Sequence, residues 1–260
     1  MDPRHAAYLE ALGVDVYVRR VPAGDAAHAQ AALRAGDGDV AGPAVGESRP
    51  QPATVHPASG DTAGAVATLG WEELRATVAT CERCQLHATR TQTVFGAGDR
   101  SARWMFIGEA PGADEDRQGE PFVGRAGQLL TSMLKALGLR REDVYITNVL
   151  KCRPPGNRDP RPEEARSCRG YLERQIELVD PAVIVAVGRI AAQNLLETEN
   201  ALAKLRGRVH ALGDRRRPLV VIYHPAYLLR SPGEKRKAWL DLLHAKQVFQ
   251  RLERGEQVLP

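Results

Sequence analysis

The sequence has no apolar run that approaches the roughly 20 residues of a membrane-spanning helix, which excludes such a helix and predicts no membrane association. Residues 1–20 carry charges throughout and have no apolar core segment, so they do not read as a secretory signal. We therefore expect a cytoplasmic protein. Thiols stay reduced in that compartment, which disfavours disulfides.

Nucleotide-binding motifs are missing from the glycine-rich segment 108–124. The segment, GEAPGADEDRQGEPFVG, has neither the GxGxxG of dinucleotide-binding folds nor the Gly-Lys-Ser/Thr of a nucleotide P-loop. It is too rich in glycine, proline and acidic residues to form core. Three interpretations stay open: a structural loop, a loop that holds a polar ligand, and a hard-cation site. The carboxylates available to such a cation include Glu109, Asp114, Glu115 and Asp116.

Cysteine is scarce, and its spacing is the most informative feature of the chain. The four cysteines are Cys81, Cys84, Cys152 and Cys168, in the pattern C-x2-C, a long gap and C-x15-C. Four thiols are the full ligand set of one tetrahedral zinc ion or one iron–sulfur cluster. Two disulfides or free buried thiols are the alternatives, but spacing and compartment together favour a metal centre. Spacing does not settle the choice between zinc, the commoner kind of site, and iron–sulfur.

The net charge is only +4, but basic residues concentrate in the segment 204–237. That segment holds ten lysines and arginines against Asp214 and Glu234. Such a concentration suits a partner with a phosphate backbone. A solvated surface without a partner is the alternative.

Composition divides the chain into three parts. Residues 1–20 read as a short helix followed by a strand-like segment. Residues 21–70 are rich in alanine, glycine, proline, aspartate and serine without sustained periodicity, which predicts a disordered linker. The folded domain is expected over 71–260. This arrangement suggests that residues 1–20 are a tethered peptide that docks a protein partner, with a dispensable extension as the alternative.

Within the domain, strand patterns alternate with helical ones. Strands are predicted at 104–108, 143–150, 182–187 and 218–223, and helices at 71–80, 124–137, 162–179, 190–196 and 233–251. The alternation predicts an α/β fold with three αβα layers around a central four-stranded parallel sheet. Ligands of such sheets bind at the carboxyl ends of the strands. The polar segments that follow three of the strands should therefore meet in one crevice.

Three side chains near this crevice are candidates for binding a planar base. Asn148 ends the second strand, where a rigid amide would match the adjacent carbonyl and N–H of uracil and reject the reversed pair of cytosine. His224 follows the last strand and would donate to a developing anion. Phe122, in the polar loop, would stack on the base. The alternatives are that Asn148 caps a turn, that His224 is structural and that Phe122 anchors the loop to the core.

Three motifs, GEAPGADEDRQGEPFVGRAGQLL, TNVLKCRPPGNRDP and HPAYLLRSP, occur in this order together with the four cysteines. In this combination residues 70–252 closely resemble the iron–sulfur-containing family 4 uracil-DNA glycosylases. The resemblance implies their fold and a hydrolase that flips uracil out of single- or double-stranded DNA and cleaves its N-glycosidic bond. The abasic site left behind would enter base excision repair. A structural [4Fe–4S] cluster would be held by the four cysteines, and we expect a monomer.

The resemblance also assigns roles in the base pocket. Phe122 would stack on the flipped uracil, and Asn148 would read its edge. Glu115 would lie near uracil C5 and exclude the methyl group of thymine. His224 would bond to uracil O2 and stabilise the leaving anion. Ala110, which stands where the best-known uracil glycosylases carry an aspartate, would line the pocket.

The remaining roles concern water and DNA. Glu109, together with Asn157, is expected to position the attacking water. The segment 226–232 would be a wedge that enters the duplex, with Leu228 or Leu229 as the inserted side chain. The expected DNA contacts are Leu228, Leu229, Arg230 and Ser231.

Two rival functions are a non-catalytic nucleic-acid-binding module and a relative with altered chemistry. A binding function alone does not explain why Glu115, Asn148 and His224 occur near three strand ends. The altered relative would prefer hypoxanthine or xanthine, or would stay covalently linked to the abasic sugar. Covalently linking relatives carry an extra basic, histidine-containing loop, whereas here TNVLKC runs directly into RPPGNRDP.

Overall fold

The computed structural model describes residues 62–259, so residues 1–20 and most of the linker expected at 21–70 lie outside the described residues. The end of that linker range is helical. Helix α1 spans Thr62–Val66 and packs against helix α5 (Pro162–Val179), and Val66 is buried in an apolar cluster with Leu74. Folded structure therefore begins before residue 71, because apolar burial offsets the entropy cost of ordering this segment.

One mixed sheet forms the centre of the described residues. Its strands are β1 (Ala97–Gly98), β2 (Trp104–Gly108), β3 (Tyr145–Asn148), β4 (Val183–Val187), β5 (Val209–Leu212) and β6 (Arg217–Ile222). The spatial order is β1-β3-β2-β4-β6-β5, in which the four central strands are parallel. The prediction of a central four-stranded parallel sheet is confirmed. The antiparallel edge strands β1 and β5 were not predicted.

Helices and short 3₁₀ turns connect the strands. The other helices are α2 (Trp71–Ala79), α3 (Ala113–Gln118), α4 (Arg125–Leu137), α6 (Arg189–Leu196), α7 (Leu202–Leu205), α8 (Pro225–Arg230) and α9 (Lys235–Glu253). Of the described helices, none has both the length and the apolarity needed to cross a bilayer.

The helices cover both faces of the sheet and give three layers. Along β2, alternate side chains point to opposite faces. Phe106 joins an apolar cluster that contains Leu130 of α4 and Trp239 of α9, whereas Ile107 joins one that contains Leu172 of α5. Because the central strands are buried on both faces, polar groups that bind a ligand are left to the strand ends.

Replacing Val66 tests where the folded domain begins. Val66→Ala should lower the free energy of unfolding by about 1–2 kcal/mol, because it removes buried methyl groups and leaves a cavity. Thr68→Ala, at an exposed position nearby, should change it by less than about 0.5 kcal/mol. Urea denaturation followed by circular dichroism measures both values. Equally small effects would mean that α1 adds no packing energy.

Candidate functional site

A cavity of about 720 Å³ opens at the carboxyl ends of the parallel strands. It is lined by residues that end or follow these strands: Glu109 after β2, Asn148 on β3, Gly188 after β4 and His224 after β6. The polar strand ends therefore meet in one crevice, as the parallel sheet led us to expect. The other predicted residues at its wall are Ala110, Glu115, Phe122, Asn157 and Arg230.

The carboxylate of Glu115 shapes the loop between β2 and α4. Its Oε1 accepts hydrogen bonds from the backbone N–H groups of Val123 (2.9 Å) and Gly124 (3.1 Å). Its Oε2 accepts one from the N–H of Gly112 at 3.1 Å. Three donors on one carboxylate fix the side chain firmly at the cavity wall.

The neighbouring carboxylates are engaged within the protein. Buried Asp116 accepts the backbone N–H of Thr91 with both oxygens at 3.0 Å, and Asp114 forms an ion pair with Arg117. Among residues 62–259, no group of three or more histidine, cysteine, aspartate or glutamate side chains is arranged to hold a metal ion. Asp114 and Asp116 therefore serve contacts within the fold.

Gly108 makes room for an aromatic ring and an amide side by side. A Cβ atom at Gly108 would lie 2.6 Å from Phe122 Cζ and 2.4 Å from Asn148 Oδ1, closer than non-bonded atoms approach. Phe122 is buried and has a φ of 55°, a region that non-glycine residues seldom occupy. The His224 ring is also near, with its centroid 5.8 Å from that of Phe122.

The side chain of Asn148 has an unused acceptor. Its Oδ1 is buried without a hydrogen-bond partner, and Asn148 lines the cavity. Its backbone carbonyl accepts a bond from Lys151 Nζ at 2.7 Å. Lys151 is 1% exposed, and burial lowers its pKa to about 7. Because buried polar atoms are nearly always paired, the open acceptor indicates a place for a ligand donor.

His224 is held as a neutral hydrogen-bond donor. It is the N-cap of α8, and its Nδ1 accepts the backbone N–H of Ala226 at 3.1 Å. Burial lowers the pKa of His224 to about 4, and the charge of Arg230 acts in the same direction. With Nδ1 accepting and the ring neutral at pH 7, the proton lies on Nε2. The imidazole can therefore donate a hydrogen bond without carrying charge.

Glu109 holds its proton more tightly than an ordinary glutamate. Burial raises its pKa from 4.5 to about 7, Asp159 adds to the rise, and Arg189 opposes it. Asp159 and Arg189, both at the cavity wall, form an ion pair at 2.9 Å. Asn157 lies at the same wall and accepts a bond from Arg153 Nε at 2.8 Å through its Oδ1. Glu109 therefore changes charge near neutral pH.

The predicted wedge is helix α8 with its following turn, and its two leucines differ. Leu228 is 1% exposed and packs into the core, whereas Leu229 is 37% exposed. Leu228 therefore contributes to the core in this structure, whereas Leu229 is open to a partner, and the DNA contacts of both stay predictions. Arg230 lies at the cavity wall, but Leu229 and Ser231 do not. Tyr227, which the sequence did not single out, is exposed at that wall.

The four cysteines surround a second, smaller cavity and form no disulfides. They are Cys81 and Cys84 after α2, Cys152 after β3 and Cys168 in α5. Arg90 Nη1 donates to Cys152 Sγ at 3.2 Å, and the Lys151 backbone N–H donates to Cys168 Sγ at 3.4 Å. As placed, the side chains do not form a closed ligand group.

The basic segment 204–237 is used partly for structure. Four of its cations form ion pairs within the fold: Arg206 with Asp241 (2.6 Å), Arg215 (3.3 Å) and Arg217 (2.8 Å) with Asp180, and Lys237 with Glu234 (2.8 Å). Arg230 instead lines the cavity. The charge concentration in the sequence therefore overstates what this segment offers to a partner.

Comparison with known proteins gives consistent matches. A family model described as the uracil DNA glycosylase superfamily matches residues 95–243. A type-4 uracil-DNA glycosylase of Archaeoglobus fulgidus is 52% identical over 161 residues, which cover 60% of this chain and 81% of the relative. A type-4 uracil-DNA glycosylase of Thermotoga maritima is 45% identical over 172 residues, or 65% of this chain and 88% of the relative.

The raised pKa of Glu109 predicts a pH-dependent effect on stability. Between pH 4.5 and about 7 the folded state binds this proton more tightly than the unfolded chain, so stability is lost as pH rises. The free energy of unfolding of Glu109→Gln, measured relative to that of the wild type, should therefore be about 1–2 kcal/mol higher at pH 8 than at pH 4.5. Chemical denaturation at both pH values measures this difference. Exposed Glu82→Gln is the control, and a constant difference for Glu109→Gln would contradict the prediction.

Proposed function

The chain belongs to the uracil DNA glycosylase superfamily, with type-4 enzymes as relatives, and we propose that it excises uracil from DNA. It is a DNA-repair hydrolase that breaks the N-glycosidic bond and leaves free uracil and an abasic site. The observation that carries this proposal is the buried, unpaired Oδ1 of Asn148 in the cavity. Uracil satisfies that oxygen with its N3–H, while the Asn148 amide N–H donates to O4. Cytosine has no hydrogen on N3, so it leaves the oxygen unpaired.

Base recognition begins when uracil leaves the helical stack, since its glycosidic bond is unreachable inside a duplex. The ring of Phe122 stacks on the extruded base. Glu115, held by three backbone donors, forms a rigid wall near C5 that excludes the methyl group of thymine. Ala110 completes the wall with a small side chain.

Bond cleavage places negative charge on uracil, and His224 stabilises that charge. Its Nε2–H donates to O2, and because the imidazole is already neutral it needs no change of protonation to do so. One well-placed donor of this kind lowers the free-energy barrier to bond cleavage by roughly 3–4 kcal/mol.

Glu109 and Asn157 position the water that attacks the sugar. The carboxylate of Glu109 exists above its pKa of about 7, where it attracts the water and the positive charge that develops on the sugar. The Asn157 Oδ1 is occupied by Arg153, so its amide N–H groups are the part that positions the water.

DNA contacts come from the end of α8 and the turn after it. Leu229 enters the stack at the place of the extruded base, Leu228 anchors the helix to the core, and Arg230 and Ser231 contact the backbone.

A cytoplasmic location agrees with the free thiols. A monomeric state and a protein partner for residues 1–20 stay predictions.

We propose a [4Fe–4S] cluster as the cofactor, because four thiols are its full ligand set. All four line one cavity, and Arg90, whose Nη1 donates to Cys152 Sγ, brings positive charge that compensates thiolate ligands. Cys81, Cys84, Cys152 and Cys168 would hold the cluster. When bound, it would supply a covalent crosslink between α2, the segment after β3 and α5, and no redox chemistry in uracil excision.

An excision assay on end-labelled oligonucleotides with one uracil tests the function. Alkali should reveal cleavage at uracil in single strands, U:G and U:A pairs, and none at thymine or hypoxanthine. His224→Ala should lower the excision rate about 10²–10³-fold with DNA binding retained, because it removes the donor to O2. His210→Ala, on edge strand β5 and away from the cavity, should leave the rate unchanged.

Two outcomes would overturn these assignments. Absence of cleavage by iron-loaded protein would reject the glycosylase and favour a binding module or another base. Unchanged excision by His224→Ala would remove that histidine from the mechanism.

Metal analysis tests the cofactor separately. Purified protein should be brown, absorb near 400 nm and contain about four iron and four sulfide per chain. Cys152→Ser should lose most of the iron and the absorption, because a ligand thiolate is missing. Ser167→Ala, beside the same cavity, should keep both. Zinc in place of iron, or iron retained by Cys152→Ser, would contradict the assignment.

A further inference from the structure

We propose that Tyr227 is a stacking platform for the nucleobase next to the extruded uracil. The inference rests on the proposed function, since it places a second base beside the uracil pocket. Tyr227 is 38% exposed and lines the same cavity as Asn148 and His224. A large aromatic side chain left open at the mouth of a cavity offers a flat apolar surface to a ligand.

The ring of Tyr227 is supported from beneath. It stacks on Tyr223, with centroids 5.2 Å apart and planes 21° from parallel. The guanidinium carbon of Arg206 lies 3.9 Å from the centroid of the Tyr223 ring. Tyr223 therefore contacts both Arg206 and Tyr227, and Tyr227 is exposed at the cavity wall.

Arg206, which supports the Tyr223 ring, is fixed in the fold. Arg206 Nε donates to Asp241 Oδ2 at 2.6 Å, and its Nη2 donates to the backbone carbonyl of Lys237 at 3.1 Å. Asp241 is buried, so the guanidinium has a nearly fixed position. Tyr223 is therefore held by a cation–π contact, and Tyr227 meets an incoming base with little rotamer entropy left to lose.

A nucleobase suits this platform for two reasons. Extruding uracil removes a stacking partner from its neighbours, and an aromatic ring at the cavity mouth offers the base on one side of uracil a new stacking surface. Stacking tolerates every base because each has a π-face, so the platform adds affinity without sequence preference. Arg230, three residues along α8 and at the same wall, brings positive charge for the adjoining phosphate.

The test is a thermodynamic cycle between Tyr227 and the neighbouring base. Excision is measured on single strands whose uracil has normal neighbours, or has a tetrahydrofuran abasic residue on its 5′ or its 3′ side. Tyr227→Ala should lower kcat/KM about tenfold on the normal strand. That loss should vanish on one of the two abasic strands, because the stacking partner is already missing. Tyr227→Phe should keep wild-type behaviour on all three.

Leu240→Ala controls for loss of an exposed apolar side chain, since Leu240 is 48% exposed on α9 and away from the cavity. It should behave as wild type on all strands. An equal loss for Tyr227→Ala on every strand would show a structural role and overturn the proposal. Wild-type activity of Tyr227→Ala on every strand would overturn it as well.

A binding measurement separates this inference from the proposed function. 2-Aminopurine is placed beside a non-cleavable 2′-fluoro-deoxyuridine, and its fluorescence is followed on titration with protein. Wild type and Tyr227→Phe should quench it more strongly at saturation than Tyr227→Ala does. Equal quenching by all three would reject the platform. Failure of the wild type to excise uracil would reject the function alone, because quenching requires no cleavage.

Discussion

A buried lysine, Lys151, connects the candidate site to the cysteines. Lys151 Nζ donates at 2.7 Å to the backbone carbonyl of Asn148 and to Thr147 Oγ1, and its backbone N–H donates to Cys168 Sγ at 3.4 Å. Burying a lysine amine is costly unless hydrogen-bond acceptors surround it, so these bonds hold the end of β3 in one conformation. Thiolate ligands would add compensating negative charge beside it. The cysteine region therefore supports the position of Asn148, although no cysteine lines the larger cavity.

The centre of the fold could be predicted because its signals are local. Continuous apolar runs such as 183–187 require burial on both faces, and Pro162 marks the first turn of α5. The edges could not be predicted in the same way. Strand β1 has two residues, one of them a glycine, and β5 is only partly buried, so neither carries a strand pattern. Their strand character comes from pairing with a neighbour, which is a tertiary effect.

The site was predictable where it depends on topology and unpredictable where it depends on side-chain direction. Parallel strands bring Asn148 and His224 to one edge whatever surrounds them. Which of Leu228 and Leu229 faces outward depends on how α8 rotates against the core, and two adjacent leucines carry no signal for that. The burial of Lys151 was equally invisible, since lysine is nearly always exposed and only the folded chain supplies its acceptors.

Burial of the cavity wall also explains how one site holds an acid and a donor in compatible states. In water a glutamate with a pKa of 4.5 and a histidine with a pKa of 6.5 would be oppositely charged between those values. Here burial raises the pKa of Glu109 to about 7 and lowers the pKa of His224 to about 4, which reverses the order of the two pKa values. Both shifts therefore act against an imidazolium–carboxylate pair in the cavity. Above pH 7 the site combines one negative charge, suited to a positive sugar, with a neutral donor suited to a uracil anion.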